Sequence, residues 1–136
     1  MWTCHNCDRI FQKANQPHSC RKVSPESHFE NKEKAREIFD YLHRQIEQKI
    51  GKCTIVSLPC CIHLFGNYDF LAVLPKKDRI EIRFALHRTV VTSRLKVSVP
   101  MSAKVFKNCL DIGSREEIDN ELLGWLDESY YLKLLL

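Results

Sequence analysis

Between residues 32 and 50, apolar side chains recur three or four positions apart: Ala35, Ile38, Phe39, Leu42, Ile46 and Ile50. That spacing gathers them on one face of a helix and predicts α-structure here. Asn31 suits the N-cap and Gly51 the stop. Glu30–Lys34, Arg36–Asp40 and Asp40–Arg44 fall four apart on the polar face. After Gly51 the period changes to two. Residues 53–58 and 60–65 read as short strands divided by Pro59, with a tight turn at Gly66-Asn67. Residues 68–74 form an apolar strand, and 75–78 (Pro-Lys-Lys-Asp) a turn. Along 79–88 the alternation is clean: Ile80, Ile82, Phe84 and Leu86 point one way, Arg79, Glu81 and Arg83 the other. Residues 89–101 predict a loop or short edge strand, and 103–112 the last strand. Ser114-x-x-Glu117 has the form of a capping box that starts a final helix running to about residue 132.

Helix, antiparallel meander of four or five strands and helix make an α+β fold, because turns this short favour antiparallel pairing. Both helices are expected on one sheet face, leaving the other partly open. This domain covers residues 32–136. Residues 23–31, with the breaker Ser24-Pro25, read as a linker. Residues 1–22 hold too few aliphatic side chains for a core of their own.

That first segment is where the chemistry concentrates. Three of the seven cysteines, Cys4, Cys7 and Cys20, fall within seventeen residues. Cys4-His-Asn-Cys7 lets two sulfurs reach one ion from a tight turn, and zinc prefers four tetrahedral thiolate or imidazole ligands. Cys4, Cys7, His18 and Cys20 are the predicted set, a structural zinc knuckle with no open coordination position. His5, His28 or a group from the larger domain are alternatives to His18 as fourth ligand. Asp8 stands where the turn calls for positive φ. Arg9, Lys13, Arg21 and Lys22 would offset the site's charge of −1, and Trp2, Ile10 and Phe11 would pack around it.

The remaining cysteines lie in apolar, strand-like surroundings. With an odd count and no signal segment at the start, a disulfide framework is not expected, and a reducing cytoplasm is the expected compartment. No apolar run is long enough to span a bilayer. The apolar Leu134-Leu135-Leu136 could dock on the sheet or on a second subunit.

The net charge of +4 is uneven: residues 75–107 carry nine cations and two anions, residues 108–136 two cations and seven anions. A binding module for an anionic partner follows, nucleic acid first and another protein second. Lys76, Lys77, Arg79 and Arg83 would line one surface, and Arg9 and Lys13 would add to it from the knuckle. The competing expectation is that the basic strands face the acidic C-terminal helix. Two enzyme readings stand beside these. Asp69 with Glu81-Ile-Arg83 has the outline of a metal-dependent nuclease motif, but arginine replaces the lysine base. Cys61 and His63 share a strand face, so thiol chemistry is conceivable, although core packing accounts for both. A small-molecule site between sheet and helices, lined by Trp125 and Tyr130, is a further alternative, with core packing again the preferred reading.

Trp2-Thr-Cys4-His-Asn-Cys7-Asp-Arg9-Ile-Phe11, followed by Asn15-Gln16-Pro-His18-Ser19-Cys20, resembles the N-terminus of an uncharacterised bacterial family, domain of unknown function family 5655. His28-Phe29, the Phe70–Pro75 segment and the ending Ile118-Asp119-x-Glu121-Leu-x-x-Trp125-Leu126-x-Glu128-x-Tyr130 extend the resemblance over nearly the whole chain. His5 stands where members tend to have Pro, and Asp8 where they tend to have Gly; both departures bear on the turn and neither removes a ligand. The resemblance implies an α+β fold with a metal knuckle and supplies no mechanism.

Overall fold

The amphipathic segment forms the helix its spacing demands. In the computed structural model, which describes residues 1–7, 10–18, 20 and 23–132, α1 spans Glu33–Lys49 and buries Ala35, Ile38, Phe39, Leu42 and Ile46. Of the three i,i+4 pairs expected on its outer face, Arg36–Asp40 is formed, at 3.7 Å. Asn31 is not the cap. It takes a left-handed turn (φ 60) between a 3-10 helix at Pro25–Phe29 and α1, which starts after Lys32. Asparagine tolerates that conformation better than most residues. The stretch read as a linker is therefore ordered, and its Phe29 belongs to the core beside Phe39.

Ahead of this lies a two-stranded hairpin of β1 (Trp2–Thr3) and β2 (Ile10–Phe11), with Trp2 opposite Phe11. The main sheet contains β3 (Thr54–Ser57), β4 (Ile62–Phe65), β5 (Asp69–Pro75), β6 (Ile80–Leu86), β7 (Val97–Pro100) and β8 (Phe106–Ile112), in the spatial order β3-β4-β5-β6-β8-β7. Every pair is antiparallel. The sheet has six strands rather than four or five, and its meander is broken once. The strand β8 inserts between β6 and β7 because Cys109, Leu110 and Ile112 need cover on both sides, whereas β7 is half exposed and ends in Pro100, which suits an edge.

The alternation in β6 is as predicted. Ile80, Ile82, Phe84 and Leu86 face the helices, and Glu81, Arg83 and Ala85 face the opposite side. The C-terminal helix departs from expectation at its start. Ser114 and Glu117 form their box around a 3-10 turn, Arg115–Glu117, where the Glu117 carboxylate accepts the N–H groups of Ser114 (2.8 Å) and Gly113. The helix proper, α2, spans Asn120–Tyr130 and is capped by Asp119, whose Oδ1 accepts the Leu122 N–H at 3.0 Å. Both helices pack on the Ile80/Ile82 face; Trp125 stacks on Phe84, and Leu42, Leu122 and Leu126 are fully buried. Trp125 and Tyr130 thus serve the core.

Gly51 stands where α1 stops, its N–H donating to the Ile46 carbonyl at 3.0 Å, and it does so without a positive φ. Close approach explains why a glycine stands there. The Tyr130 ring lies over both Gly51 and Gly66, within 2.7 Å and 2.5 Å of where a Cβ would stand. Its hydroxyl donates to the Lys52 carbonyl at 2.7 Å, which holds the ring there.

One irregularity matters for the open face. Pairing runs Ile62↔Val73, His63↔Ala72 and Leu64↔Leu71, then slips to Phe65↔Asp69. The extra residue on β5 is a bulge. Strict alternation would send Asp69 to the helix side with Leu71 and Val73. The slip turns it to the side of His63 and Phe65.

Candidate metal centre

The β1–β2 hairpin brings Cys4 and Cys7 to one end, and the following loop returns His18 and Cys20 to meet them. The four donor atoms all lie within 4.8 Å of one another. Cys4 Sγ is 3.5 Å from Cys20 Sγ, and Cys7 Sγ is 3.3 Å from His18 Nε2. A tetrahedral ion with metal–sulfur bonds of about 2.3 Å sets its ligand atoms roughly 3.5–3.8 Å apart, so these separations fit one.

The imidazole is preset for the task. His18 Nδ1 is 2.7 Å from the Gln16 carbonyl. A carbonyl only accepts, so Nδ1 carries the proton and Nε2 presents its lone pair to the sulfurs. Fixing a ligand histidine through its other nitrogen is the usual outer-shell device of metal sites. Phe11 lies against the same ring, 4.3 Å between centroids, and Trp2 meets its edge at 6.2 Å. Asn6 Nδ2 donates to Cys20 Sγ at 2.9 Å. Cys4 and Cys7 are buried. Backbone N–H groups of Cys7 and then Asn6 aim at Cys4 and draw its thiol down to about 6, so the thiolate form is available near neutral pH. A tetrahedral ion held by these four donors would keep no open coordination position.

Asp8, Arg9, Arg21 and Lys22 lie outside the described residues, as does the Leu134-Leu135-Leu136 terminus. The described left-handed residue of the knuckle is Asn15, with φ 55. His5 and His28 are not among the clustered donors. A second group of donors, His43, Glu47 and Cys53, escaped the sequence reading although His43 and Glu47 stand four apart on α1. Its arrangement serves the chain: Glu47 Oε2 accepts the Cys53 N–H at 3.3 Å, and burial with the Glu47 charge pushes the Cys53 thiol up to about 12.

Five of the nine cations of the basic segment find carboxylate partners within the chain. Arg79 pairs with Asp78 (3.2 Å) and Asp111 (3.6 Å), and Arg88 with Glu128 (3.2 Å). Arg94 reaches Asp119 (3.1 Å) and Glu121 (2.7 Å) while lying over Trp125. On the open face Glu81 holds both Arg83 and Lys96 at 2.8 Å. Among the described residues, Lys13, Lys76, Lys77, Lys104 and Lys107 have no carboxylate within ion-pair distance. Lys76 and Lys77 sit in the β5–β6 turn, next to the Ile80↔Ile112 end of the sheet; Lys104 lies at the opposite end, near Leu86↔Phe106. Asp69 and Glu81 form no shared metal group.

On that same open face, Cys61 and His63 do meet, and Asp69 joins them. Cys61 Sγ is 3.2 Å from His63 Nε2, and His63 Nδ1 is 2.6 Å from Asp69 Oδ2. The knuckle stands next to them, since Ile10, Phe11 and Gln16 line one cleft with Val56, His63 and Asp69.

The family described as "Domain of unknown function (DUF5655)" matches residues 25–133. The chain belongs to this family. The DUF5655 region takes in the 3-10 helix, α1, the six-stranded sheet and α2, while the Cys/His knuckle precedes it. No curated protein and no solved structure matches the chain. No helix among the described residues is long and apolar enough to cross a membrane.

Proposed function

We propose that Cys4, Cys7, His18 and Cys20 hold one Zn²⁺ as a structural ion, and that the protein is a zinc-stabilised binding module. The observation that carries this reading is the His18 tautomer. Its Nδ1–H is committed to Gln16, leaving Nε2 as the fourth donor opposite three sulfurs. Three thiolates and an imidazole favour zinc over magnesium or calcium, which take oxygen ligands. The ion ties the hairpin to its return loop and so fixes the wall that Ile10 and Phe11 raise beside the open sheet face.

The partner meets that face and the knuckle together. A protein or small ligand fits better than a nucleic acid, because five of the nine cations at 75–107, all four arginines among them, already have carboxylate partners. Metal analysis of full-length protein purified without chelator is expected to give one zinc per chain. Cys4→Ser and His18→Ala should each lose it. Protein that carries no zinc under those conditions overturns the reading. DNA or RNA binding with a steep salt dependence, weakened by Lys76→Ala and Lys77→Ala, would replace the proposed partner class with nucleic acid.

A further inference from the structure

The open face of the sheet holds a chain of three groups that packing does not require. Asp69 is ionisable and exposed on one side, and its carboxylate only accepts, so His63 Nδ1 carries a proton and donates it to Oδ2 at 2.6 Å. Nε2 is then a lone pair, and Cys61 Sγ–H lies 3.2 Å away to donate to it. Nucleophile, base and orienting carboxylate stand in the order and at the spacing that nucleophilic catalysis uses. The arrangement is costly to assemble by chance, since it depends on the β5 bulge that turns Asp69 to this face. It also opens on a cavity of about 290 Å³, whose apolar walls include Ala72, Leu74, Ala85 and Met101 and whose cations are Arg83 and Lys107. The Arg83 guanidinium is engaged by Glu81, whereas no carboxylate among the described residues pairs with Lys107.

We propose that Cys61, activated by His63 and Asp69, is a nucleophile that accepts acyl groups from thioesters. The proposal goes beyond the zinc-module reading and does not depend on it. Cys61 Sγ forms a bond to the acyl carbon as its proton passes to His63 Nε2. The carbon–sulfur bond of the thioester breaks, and the same proton passes from Nε2 to the departing thiolate. The products are an S-acyl Cys61 and a free thiol, with no oxidant or reductant consumed. A thioester is the fitting substrate class because its leaving group matches the attacking group, so the exchange is nearly balanced in energy. The apolar walls suit a short acyl chain, and the Lys107 ammonium suits a carbonyl oxygen or an anionic carrier. Burial, the Cys60 thiol 2.9 Å away and the Asp69 charge push the Cys61 thiol up to about 12. The resting group is therefore protonated and relies on His63 to remove the proton during attack.

The test uses full-length, zinc-loaded protein and the 4-nitrothiophenyl thioesters of acetate and octanoate. The expected result is a burst of about one nitrothiophenolate per chain, with the acyl mass mapped to Cys61, and a slower burst in D₂O. Cys61→Ser should abolish it, His63→Gln should slow it about 100-fold, and Cys60→Ser should leave it in place. Zinc content and circular dichroism, measured on each variant, separate a failed fold or a failed zinc reading from a failed thiol site. Acylation of Cys60 or Cys53 in place of Cys61, or a folded His63→Gln that reacts at the wild-type rate, overturns the proposal.

Discussion

Glu81 shows how much one side chain sets on the open face. It is nearly buried, and Lys96 foremost, then Arg83, holds its carboxyl below the ordinary value. A lowered folded value means the unfolded chain binds the proton more readily. The stabilisation is therefore complete above the unfolded carboxylate range, about 4.3, and is lost as pH falls through the lower folded value. Glu81→Gln is expected to cost about 1–2 kcal/mol at neutral pH and to flatten the acid side of the stability curve. Urea melts at neutral and acid pH measure both effects. The residue's direction was legible in the sequence, since the period of two puts it opposite Ile80 and Ile82. Its partnership with Lys96 was not, because Lys96 comes fifteen residues later in a loop whose path no local pattern fixes. The clustering of Cys4, Cys7, His18 and Cys20 was legible for the opposite reason: their spacing is itself the geometry. Asp69 was hidden, since strict alternation assigns it to the other face.

At the level of elements, caps decided where the prediction missed. Ser114-x-x-Glu117 has the form of a helix start, and the chain does turn there, but Ile118 is drawn into the core and interrupts the helix after one 3-10 turn. Asp119 then starts α2, and its other engagement is the Arg94 guanidinium. Both interactions draw its carboxyl below the ordinary value, the Leu122 N–H foremost. Asp119→Ala is expected to lower stability by about 1 kcal/mol through the lost cap, and Asp119→Asn by less, since the amide oxygen still caps. Chemical denaturation of the two variants side by side checks the order. The sixth strand was missed in kind rather than in place. The segment 89–101 could be read as an edge, but that it pairs beyond β8 rather than beside β6 depends on which strand has two apolar sides to cover.

For the whole molecule, the division of labour between the proposed ion and the core is testable. The continuous core runs from Phe29 to Leu126 and contains no side chain of the hairpin. Trp2, by contrast, packs on Phe11 and His18 within the knuckle. Chelation by a strong zinc ligand should therefore change the Trp2 fluorescence and leave a cooperative thermal transition of the larger domain nearly unmoved. A single transition in which both signals disappear together would mean that the ion supports the domain as well. Trp125, buried against Phe84, reports the second signal, so the Trp2→Phe and Trp125→Phe proteins assign each change.

The slip between β4 and β5 has a consequence for anyone editing this chain. Insertions and deletions are usually safest where strands turn, and residues 66–68 look like such a place. Here the spare residue acts as a switch of parity. Removing Phe70, the residue beside Asp69, would straighten the pairing with Asp69 still opposite Phe65, but it would take out a buried ring that meets Tyr130 and the carbonyl to which Ser129 donates. A lengthened tip at Asn67 lies outside the paired residues and would leave the register and the His63–Asp69 contact alone.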